Sequence, residues 1–317
     1  MVKYASTENS YPDEPSGPGA ETTNSVRFSV RRMARLLEVS ASGYYAYIKR
    51  AADLAAAVLT PRQQRRANLT VKVIDVHADS KGTYGSPRVT AELRERGETV
   101  NAKTVAAIMA GVGIEGISPR TFKVATTVQD PNASFPPDLV ARQFDQGRLD
   151  AVWITDITYL TCGEGDMFLC AIRDAHSRRV LGHVVADHIG ADMVSQAIDA
   201  AAAGRARQGR NVAGTVLHSD RGGEFTGSLT AQACGRHGLR RSMGETGICW
   251  DNAGAESFWS TFKHEYYYRH TFATRAELVA AVDNWIIWFN DRRRHSSIGM
   301  LNPVRFEQSL TGAAEAA

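Results

Sequence analysis

The sequence predicts an α/β fold, a mixed five-stranded sheet flanked by helices, preceded by an all-helical region. Two observations support this prediction. Up to about residue 114 the chain shows helix caps and apolar residues at helical spacing, and from about residue 150 it changes to β-branched and aromatic runs. In that second half, three consecutive strands are followed by alternating helices and strands, which is typical of a sheet with helices on its faces.

At 317 residues the chain can hold one large domain and one small one. Residues 1–25 are rich in Pro, Gly, Ser and Thr, and we expect a disordered leader there. The leader carries one Lys against four acidic residues, so the remainder is more basic than the net charge of +3 suggests. No apolar run approaches the roughly 18 residues of a membrane helix. The four cysteines lack metal-ligand spacing, so we expect reduced thiols in a cytoplasmic protein.

Within the predicted helical DNA-binding region, residues 26–114, the first helix pair lies at 27–48. The helices break at Val39 and Ser40, and Ser40 is a suitable N-cap for the second. The predicted apolar face of the first helix comprises Val30, Met33, Leu36 and Leu37. This is helix-turn-helix spacing, but short amphipathic pairs are common, so DNA contact and a structural role both stay open.

A second helix pair begins at Ser86, where Ser86 can cap and Pro87 suits the first helical position. Gly97 ends this helix, and Asn101 caps the next. The basic residues expected on the surface of this helix pair are Arg88, Arg94, Arg96 and Lys103. They suit a phosphate backbone, and the alternative is a solvated basic face. Residues 115–148 hold four prolines and little periodicity, and we interpret them as a basic linker.

Residues 149–309 form the predicted sheet domain, and 310–317 a tail. Three β-rich runs, AVWITDITYL, DMFLCAIRDAH and RRVLGHVVADH, are separated by turn-like GEG and SRR, which predicts hairpin pairing. A helix at 191–207, a strand in GTVLHSD, a helix near 226–237, a strand in LRRSM and two further helices follow.

Three carboxylates stand out within this domain. Asp156 lies inside the first strand, on the face of Val152 and Ile154. Asp220 closes a strand at its carboxyl end, where α/β sheets build their sites. A solvent-facing Asp and a turn-initiating Asp are the respective alternatives. Glu256 follows after 256 − 220 − 1 = 35 intervening residues, on a predicted helix.

The helix of Glu256 also presents Asn252 one turn before it and Lys263 two turns after it, on the same face. Three carboxylates brought together repel one another, which raises their pKa values unless a cation neutralises them. Oxygen ligands of that charge select Mg²⁺ or Mn²⁺. Two such ions can activate a water or a 3′-hydroxyl and stabilise the leaving oxygen of a phosphodiester. No Walker loop is present, so nucleotide hydrolysis is not indicated.

Four stretches resemble the catalytic core of an insertion-sequence transposase, the OrfB protein of the IS-three family, whose core is similar to retroviral integrases. They are WITDITY, HSDRGGEF, DNAGAESFWSTFKHE and FNDRRRHSSIGMLNPVRFE. With GTYGSPRVTAEL and VSASGYYAY upstream, the resemblance spans about residues 27–309. It implies an RNase H-like fold and a D-D-E triad of Asp156, Asp220 and Glu256 that binds divalent metal. The 35-residue interval is that family's own.

The resemblance also implies roles for residues outside the triad. Lys263 matches a basic residue that approaches the transposon end. Asn290, Arg293 and His295 match a closing YNxxRxH pattern, with Phe289 in place of Tyr, and either contact DNA or support the fold. The residues that we expect to contact DNA are Lys263, Asn252, Arg293, His295, Arg88 and Lys103. Glu224 departs from the family by adding a fourth acid, which either perturbs metal binding or points to solvent.

The function implied is a bacterial DDE transposase that cleaves DNA at the terminal repeats of an insertion sequence and transfers the strand to target DNA. The partners implied are DNA, further copies of the chain in a homo-multimer, and a companion OrfA protein or an OrfAB fusion, with no membrane partner. Two alternatives stay open: another RNase H-like nuclease, and a catalytically inactive DNA-binding regulator derived from a transposase.

Overall fold

A computed structural model describes residues 29–55, 59–118, 135–244 and 253–315. The chain divides into two compact units, residues 1–71 and 72–317. This division falls inside the predicted helical region 26–114, and the predicted domain boundaries stay predictions. The predicted leader, residues 1–25, lies outside the described residues.

The first unit contains helices α1 (Val30–Leu36) and α2 (Ala41–Ala55), as the sequence predicts. The hydroxyl of Ser40 accepts a hydrogen bond from the Gly43 amide at 3.3 Å, which confirms Ser40 as a cap. The predicted apolar face of α1 is wrong in part, because Leu36 is 73% exposed whereas Ala34 is buried. A helix of two turns buries only a narrow stripe.

Helix α3 (Pro61–Asp79) crosses the boundary between the units and is missed by the sequence prediction. Its sequence, PRQQRRANLTVKVIDVHAD, begins with a polar run that hides the helical period. Helices α4 (Ser86–Glu95) and α5 (Ala102–Gly111) follow in the second unit. Asn101 caps α5 as predicted, but the N-cap of α4 is Gly85 and not Ser86. The extended backbone of Gly85 precedes the helix, so Ser86 and Pro87 occupy its first turn.

The five strands confirm the predicted mixed sheet. They are β1 (Val152–Cys162), β2 (Gly165–Asp174), β3 (Val180–Ala186), β4 (Val216–Ser219) and β5 (Arg240–Met243), in the order β3-β2-β1-β4-β5. The first three strands pair antiparallel, whereas β4 runs parallel to both β1 and β5. Strand β1 is therefore central, with a hairpin partner on one side and a parallel partner on the other.

Helices cover both faces of this sheet. Helices α6 (Ala191–Arg207) and α8 (Ser228–Arg236) pack on the face of Trp153. Helices α9 (Ala253–Glu265) and α10 (Arg275–Asp291) pack on the opposite face, with Phe262 and Trp285 in their core. The predicted helix near 226–237 is divided at Gly227 into α7 (Gly223–Thr226) and α8. Two helices are predicted after β5, and the described residues there form three α-helices, the third of which, α11 (Pro303–Glu315), extends into the predicted tail.

Helices α4 and α5 belong to the same compact unit as the sheet, and polar contacts join them to the end of α10. The Tyr84 hydroxyl accepts from the Arg294 amide at 2.7 Å and donates to the Arg292 carbonyl at 3.2 Å. The Arg294 guanidinium also pairs with Glu92 and Glu95 of α4. These ion pairs hold α4 against the segment that follows α10.

Candidate active site

The first predicted acid, Asp156, lies on the face of β1 that packs against α9. Val152 and Ile154, on the same face, are buried with Ala255 of α9. The carboxylate of Asp156 accepts two hydrogen bonds, one from the Ile157 amide at 2.9 Å and one from the Trp259 indole at 3.2 Å. Asp156 is thus half-buried and held from both its own strand and the facing helix.

The close approach of α9 to β1 depends on a glycine. A Cβ atom at Gly254 would lie 2.9 Å from the Cδ1 atom of Ile154, closer than side-chain carbons pack. Two residues later, Glu256 is exposed, and Trp259 follows one helical turn further on. The same helix therefore presents a free-standing carboxylate and the hydrogen-bond donor to Asp156.

Asp220 reaches the site through the parallel pairing of β1 with β4. His218 pairs with Ile154, and two residues further along the two strands come Asp220 and Asp156. The Asp220 carboxylate accepts a hydrogen bond from the Gly222 amide at 2.9 Å, which fixes the turn after β4. Asp220 therefore lies at the carboxyl end of β4, beside the strand that carries Asp156.

The pKa of Asp156 is affected by the charges of the other two acids. Burial raises the pKa of Asp156 to about 7, and the negative charges of Asp220 and Glu256 raise it too. The hydrogen bonds from the Ile157 amide and the Trp259 indole act in the opposite direction. The fold therefore brings the three predicted acids close enough to oppose one another's charge.

Glu224, the fourth acid, lies beside Asp220. A Cβ atom at Gly222 would lie 2.5 Å from Oε1 of Glu224 and 3.1 Å from Oδ1 of Asp220. Burial and the charge of Asp220 raise the pKa of the Glu224 carboxyl. The sequence left open whether Glu224 affects metal binding or points to solvent, and this placement favours a Glu224 that faces the acids. Because Gly222 has no Cβ atom, both carboxylates fit beside it.

Lys263 also belongs to this neighbourhood. Burial lowers the pKa of its ammonium group, and the carboxylate of Asp156 opposes that shift. Lys263 lies two helical turns after Glu256 on α9 and is half-buried. A positive charge thus stands next to the cluster of acids, where an anionic substrate would be attracted.

The residues present fit a divalent cation by their chemistry. Asp156, Asp220 and Glu256 offer only oxygen ligands, and the charges of Asp220 and Glu256 act with burial to raise the pKa of Asp156, an effect that a bound cation would oppose. Across residues 29–55, 59–118, 135–244 and 253–315, no group of three or more His, Cys, Asp or Glu side chains is gathered tightly enough to hold an ion. Asn252, predicted on the same helix face, lies outside these ranges.

The residues predicted to contact DNA fall into two groups. Lys103 is exposed on α5. Arg293 is buried and pairs with Glu265 at 2.6 Å, and Arg88 approaches the same carboxylate at 3.4 Å. Burial and the charge of Arg293 lower the pKa of His295 well below its usual value. Three of these side chains are therefore engaged within the protein.

Asn290 of the closing pattern holds the sheet. Its side chain donates to the Val180 carbonyl and accepts from the Val180 amide, both at 2.9 Å. This pair of bonds joins α10 to the first residue of β3. The contact is that of a residue supporting the fold, one of the two roles that the sequence left open.

Sequence reasoning missed the polar role of Trp259. The pattern of α9 places Trp259 with Phe258 and Phe262 on an apolar side, and the structure buries all three. The indole nitrogen nevertheless reaches Asp156. The available signal was spacing, because Trp259 follows Glu256 by one helical turn.

Family comparisons cover most of the chain. Two families, each described as an integrase core domain, match residues 148–249 and 237–303, and an HTH-like domain matches residues 63–122. The HTH-like match thus includes α4 and α5 and most of α3, whereas α1 and α2 lie before it. Among the described residues, no helix is long and apolar enough to cross a membrane.

The chain is also similar to a named transposase. Transposase InsF for insertion sequence IS3A of Escherichia coli (strain K12) is 34% identical over 283 residues, which cover 89% of this chain and 95% of that protein. The crystal structure of the BIV integrase catalytic core domain covers 52% of this chain and 99% of its own, at 18% identity and a TM-score of 0.37. The Mos1 mariner transposase catalytic domain covers 49% and 85%, at 12% identity and a TM-score of 0.39.

Proposed function

Because this chain belongs to the IS3 family of insertion-sequence transposases, with an integrase core and an HTH-like domain, we propose that Asp156, Asp220 and Glu256 are its catalytic triad. The observation that carries this proposal is geometric: β4 pairs in parallel with β1, which places Asp220 beside Asp156, and Trp259 of the helix that carries Glu256 donates to Asp156. The three residues come from β1, the end of β4 and α9. The placement of acids from three separate elements near the carboxyl end of β4 supports this proposal.

The cofactor in this proposal is Mg²⁺ or Mn²⁺, with two ions held by Asp156, Asp220 and Glu256. When bound, the ions supply activation of the attacking hydroxyl and stabilisation of the leaving oxygen. The protein's own contribution is to hold the carboxylates. Trp259 and the Ile157 amide fix the two oxygens of Asp156, and the Gly222 amide fixes Asp220.

The reaction has two steps on DNA. Water first hydrolyses a phosphodiester at the terminal repeat of the element, which leaves a 3′-hydroxyl. This hydroxyl then attacks a phosphodiester of the target DNA, forming a new phosphorus–oxygen bond as the old one breaks. One phosphodiester replaces another, so ATP is not needed. Lys263, next to Asp156, pairs with a phosphate of the bound strand.

The proposal also assigns roles to the other predicted residues. Lys103 and Asn252 contact DNA, whereas Arg293, His295 and Arg88 chiefly stabilise the packing around Glu265. We expect the enzyme to act as a homo-multimer, because both ends of an element must be joined. A companion OrfA protein, or an OrfAB fusion, adds further recognition of the terminal repeats. The site of action is the bacterial cytoplasm, at the nucleoid.

The test is cleavage and joining of a duplex that carries the terminal repeats of the element, with Mg²⁺ or Mn²⁺. Loss of both products in Asp156→Asn, Asp220→Asn and Glu256→Gln, with DNA binding retained, supports the triad. The matched control is Asp75→Asn, an exposed carboxyl on α3. Binding of the repeats by the native chain without any cleavage would favour the second candidate, an inactive DNA-binding regulator.

A further inference from the structure

A groove of about 580 Å³ lies on the side of α9 that carries Gly254, Ser257 and Thr261. Its charged lining consists of Arg88, Arg142, Arg173, Arg178, Arg293 and Asp145. The groove begins one residue from Glu256, on the same helix, and is separate from the acids themselves.

The carboxylates paired with these arginines are too few to balance them. Arg88 and Arg293 share the single carboxylate of Glu265. Arg178 lies 3.8 Å from Asp145, which also pairs with His176 at 2.7 Å. Four guanidinium groups, apart from Arg142, therefore face two carboxylates, those of Glu265 and Asp145. The lining carries a surplus of two positive charges.

Arg173 is the most unusual member of this lining. It is only 7% exposed, its guanidinium donates to the Gly254 carbonyl, and it stacks over the Phe258 ring at 5.1 Å. No carboxylate in the described part of the chain lies within ion-pair distance of it. Burial and repulsion by Arg178 lower the pKa of Arg173 to about 9, although the charge of Asp174 opposes that shift. A buried cation without an ion-paired carboxylate is costly unless an anion completes its surroundings.

Arg178 has a buried hydrogen-bond donor without a partner among the described residues. This donor is its Nε atom. Buried donors are nearly always satisfied in folded proteins, so this one marks a place for an acceptor. The hydroxyl-bearing residues Ser257, Thr261, Ser296 and Ser297 also line the groove and can donate to the same ligand.

We propose that this groove binds the sugar–phosphate backbone of the DNA strand that adjoins the scissile phosphodiester. This inference rests on the proposed function, because the strand reaches the groove from Glu256. Phosphate oxygens would supply an acceptor for Arg178 once its side chain turns toward the groove, and an ion-pair partner for Arg173. The contacts are to the backbone and therefore independent of base sequence.

The test removes two charges at the groove without touching its buried pairs. Arg142→Gln/Arg178→Gln is compared with Arg207→Gln/Arg240→Gln, which removes two exposed arginines elsewhere on the same unit. The dissociation constant for a duplex of about 30 base pairs is measured by fluorescence anisotropy at several KCl concentrations, with EDTA. We expect the slope of log Kd against log salt to fall by about 1 to 2 for the groove variant. The control variant should keep the native slope.

A second pair of variants guards against a folding defect. Ser297→Glu adds a negative charge at the exposed rim of the groove, and Ser297→Gln adds a similar volume without charge. The Glu variant should weaken DNA binding about tenfold relative to the Gln variant at low salt, with equal melting temperatures. Equal affinities of these two variants would contradict the proposal.

Two further outcomes separate this inference from the proposed function. If the native enzyme cleaves DNA but the groove variant keeps its affinity and salt slope, the groove does not hold DNA, and an acidic protein segment becomes the better occupant. If both arginine variants lose affinity equally, general positive charge explains binding and the inference is overturned. A lowered slope in the groove variant together with an inactive native enzyme supports the groove while the proposed reaction fails.

Discussion

The indole nitrogen of Trp259 donates a hydrogen bond to Oδ2 of Asp156 over 3.2 Å. This bond connects α9, which carries Glu256, to the central strand of the sheet. It also opposes the rise in the pKa of Asp156, because it favours the charged carboxylate. We therefore interpret Trp259 as a positioning residue that fixes one acid relative to another.

Replacing Trp259 by Phe keeps an aromatic ring in the core and removes the donor. We expect the single-turnover cleavage rate at saturating DNA to fall by about 10- to 100-fold, because a misplaced carboxylate loses alignment. The dissociation constant for DNA should stay within about twofold, since DNA binding depends mainly on phosphate contacts. Trp288→Phe on α10 is the matched control and should keep both values. An unchanged cleavage rate in Trp259→Phe would assign the indole to packing alone.

The raised pKa of Asp156 predicts a pH-dependent cost to stability. The folded pKa of about 7 exceeds the unfolded value near 3.8, so the metal-free protein loses stability as pH rises between these values. Asp156→Asn should therefore stabilise the protein at pH 8 by about 2 kcal/mol, a value reduced for partial solvent exposure, and change little at pH 4.

Urea unfolding with EDTA at both pH values measures this difference, and Asp75→Asn serves as the exposed control. The same gain at pH 4 and pH 8 would contradict the electrostatic cause, because a protonated Asp156 carries no charge to relieve.

Gly222→Ala tests the space between the acids. The added Cβ would meet Oε1 of Glu224 at 2.5 Å and Oδ1 of Asp220 at 3.1 Å, so both side chains must move. Because φ of Gly222 is −58°, Ala fits the backbone without strain. We expect cleavage to fall by about tenfold or more while the melting temperature changes by only a few degrees. Gly223→Ala is the control, because nothing lies within 4 Å of its added Cβ.

Much of this architecture is predictable because local patterns determine it. The alternation of side chains along β1 predicts the face on which Asp156 lies, and Asn101 predicts the start of α5. The resemblance supplies the RNase H-like fold and the pairing of Glu256 with the two Asp residues. These features depend on near neighbours in the chain or on motifs of fixed spacing.

Features that depend on distant partners escape the sequence. Arg293 is a basic residue of the type that contacts DNA, but it is paired with Glu265, which lies 28 positions earlier in the chain. Trp259 has the pattern of a core residue, and its bond to Asp156 joins positions 103 apart. The arginine groove likewise collects side chains from the α4 region, the β2–β3 turn and the end of α10. Only the folded chain brings these groups together.

The central claim is that Asp156, Asp220 and Glu256 act together on DNA. The most direct measurement is joining of a 3′-hydroxyl end of the terminal repeat to target DNA, with Mn²⁺, by the native enzyme and by Glu256→Gln. Glu256 is exposed, so this substitution should leave folding and DNA binding intact. We predict that joining falls at least about 1,000-fold in Glu256→Gln and is unchanged in Asp75→Asn. Joining by Glu256→Gln at the native rate would contradict the account.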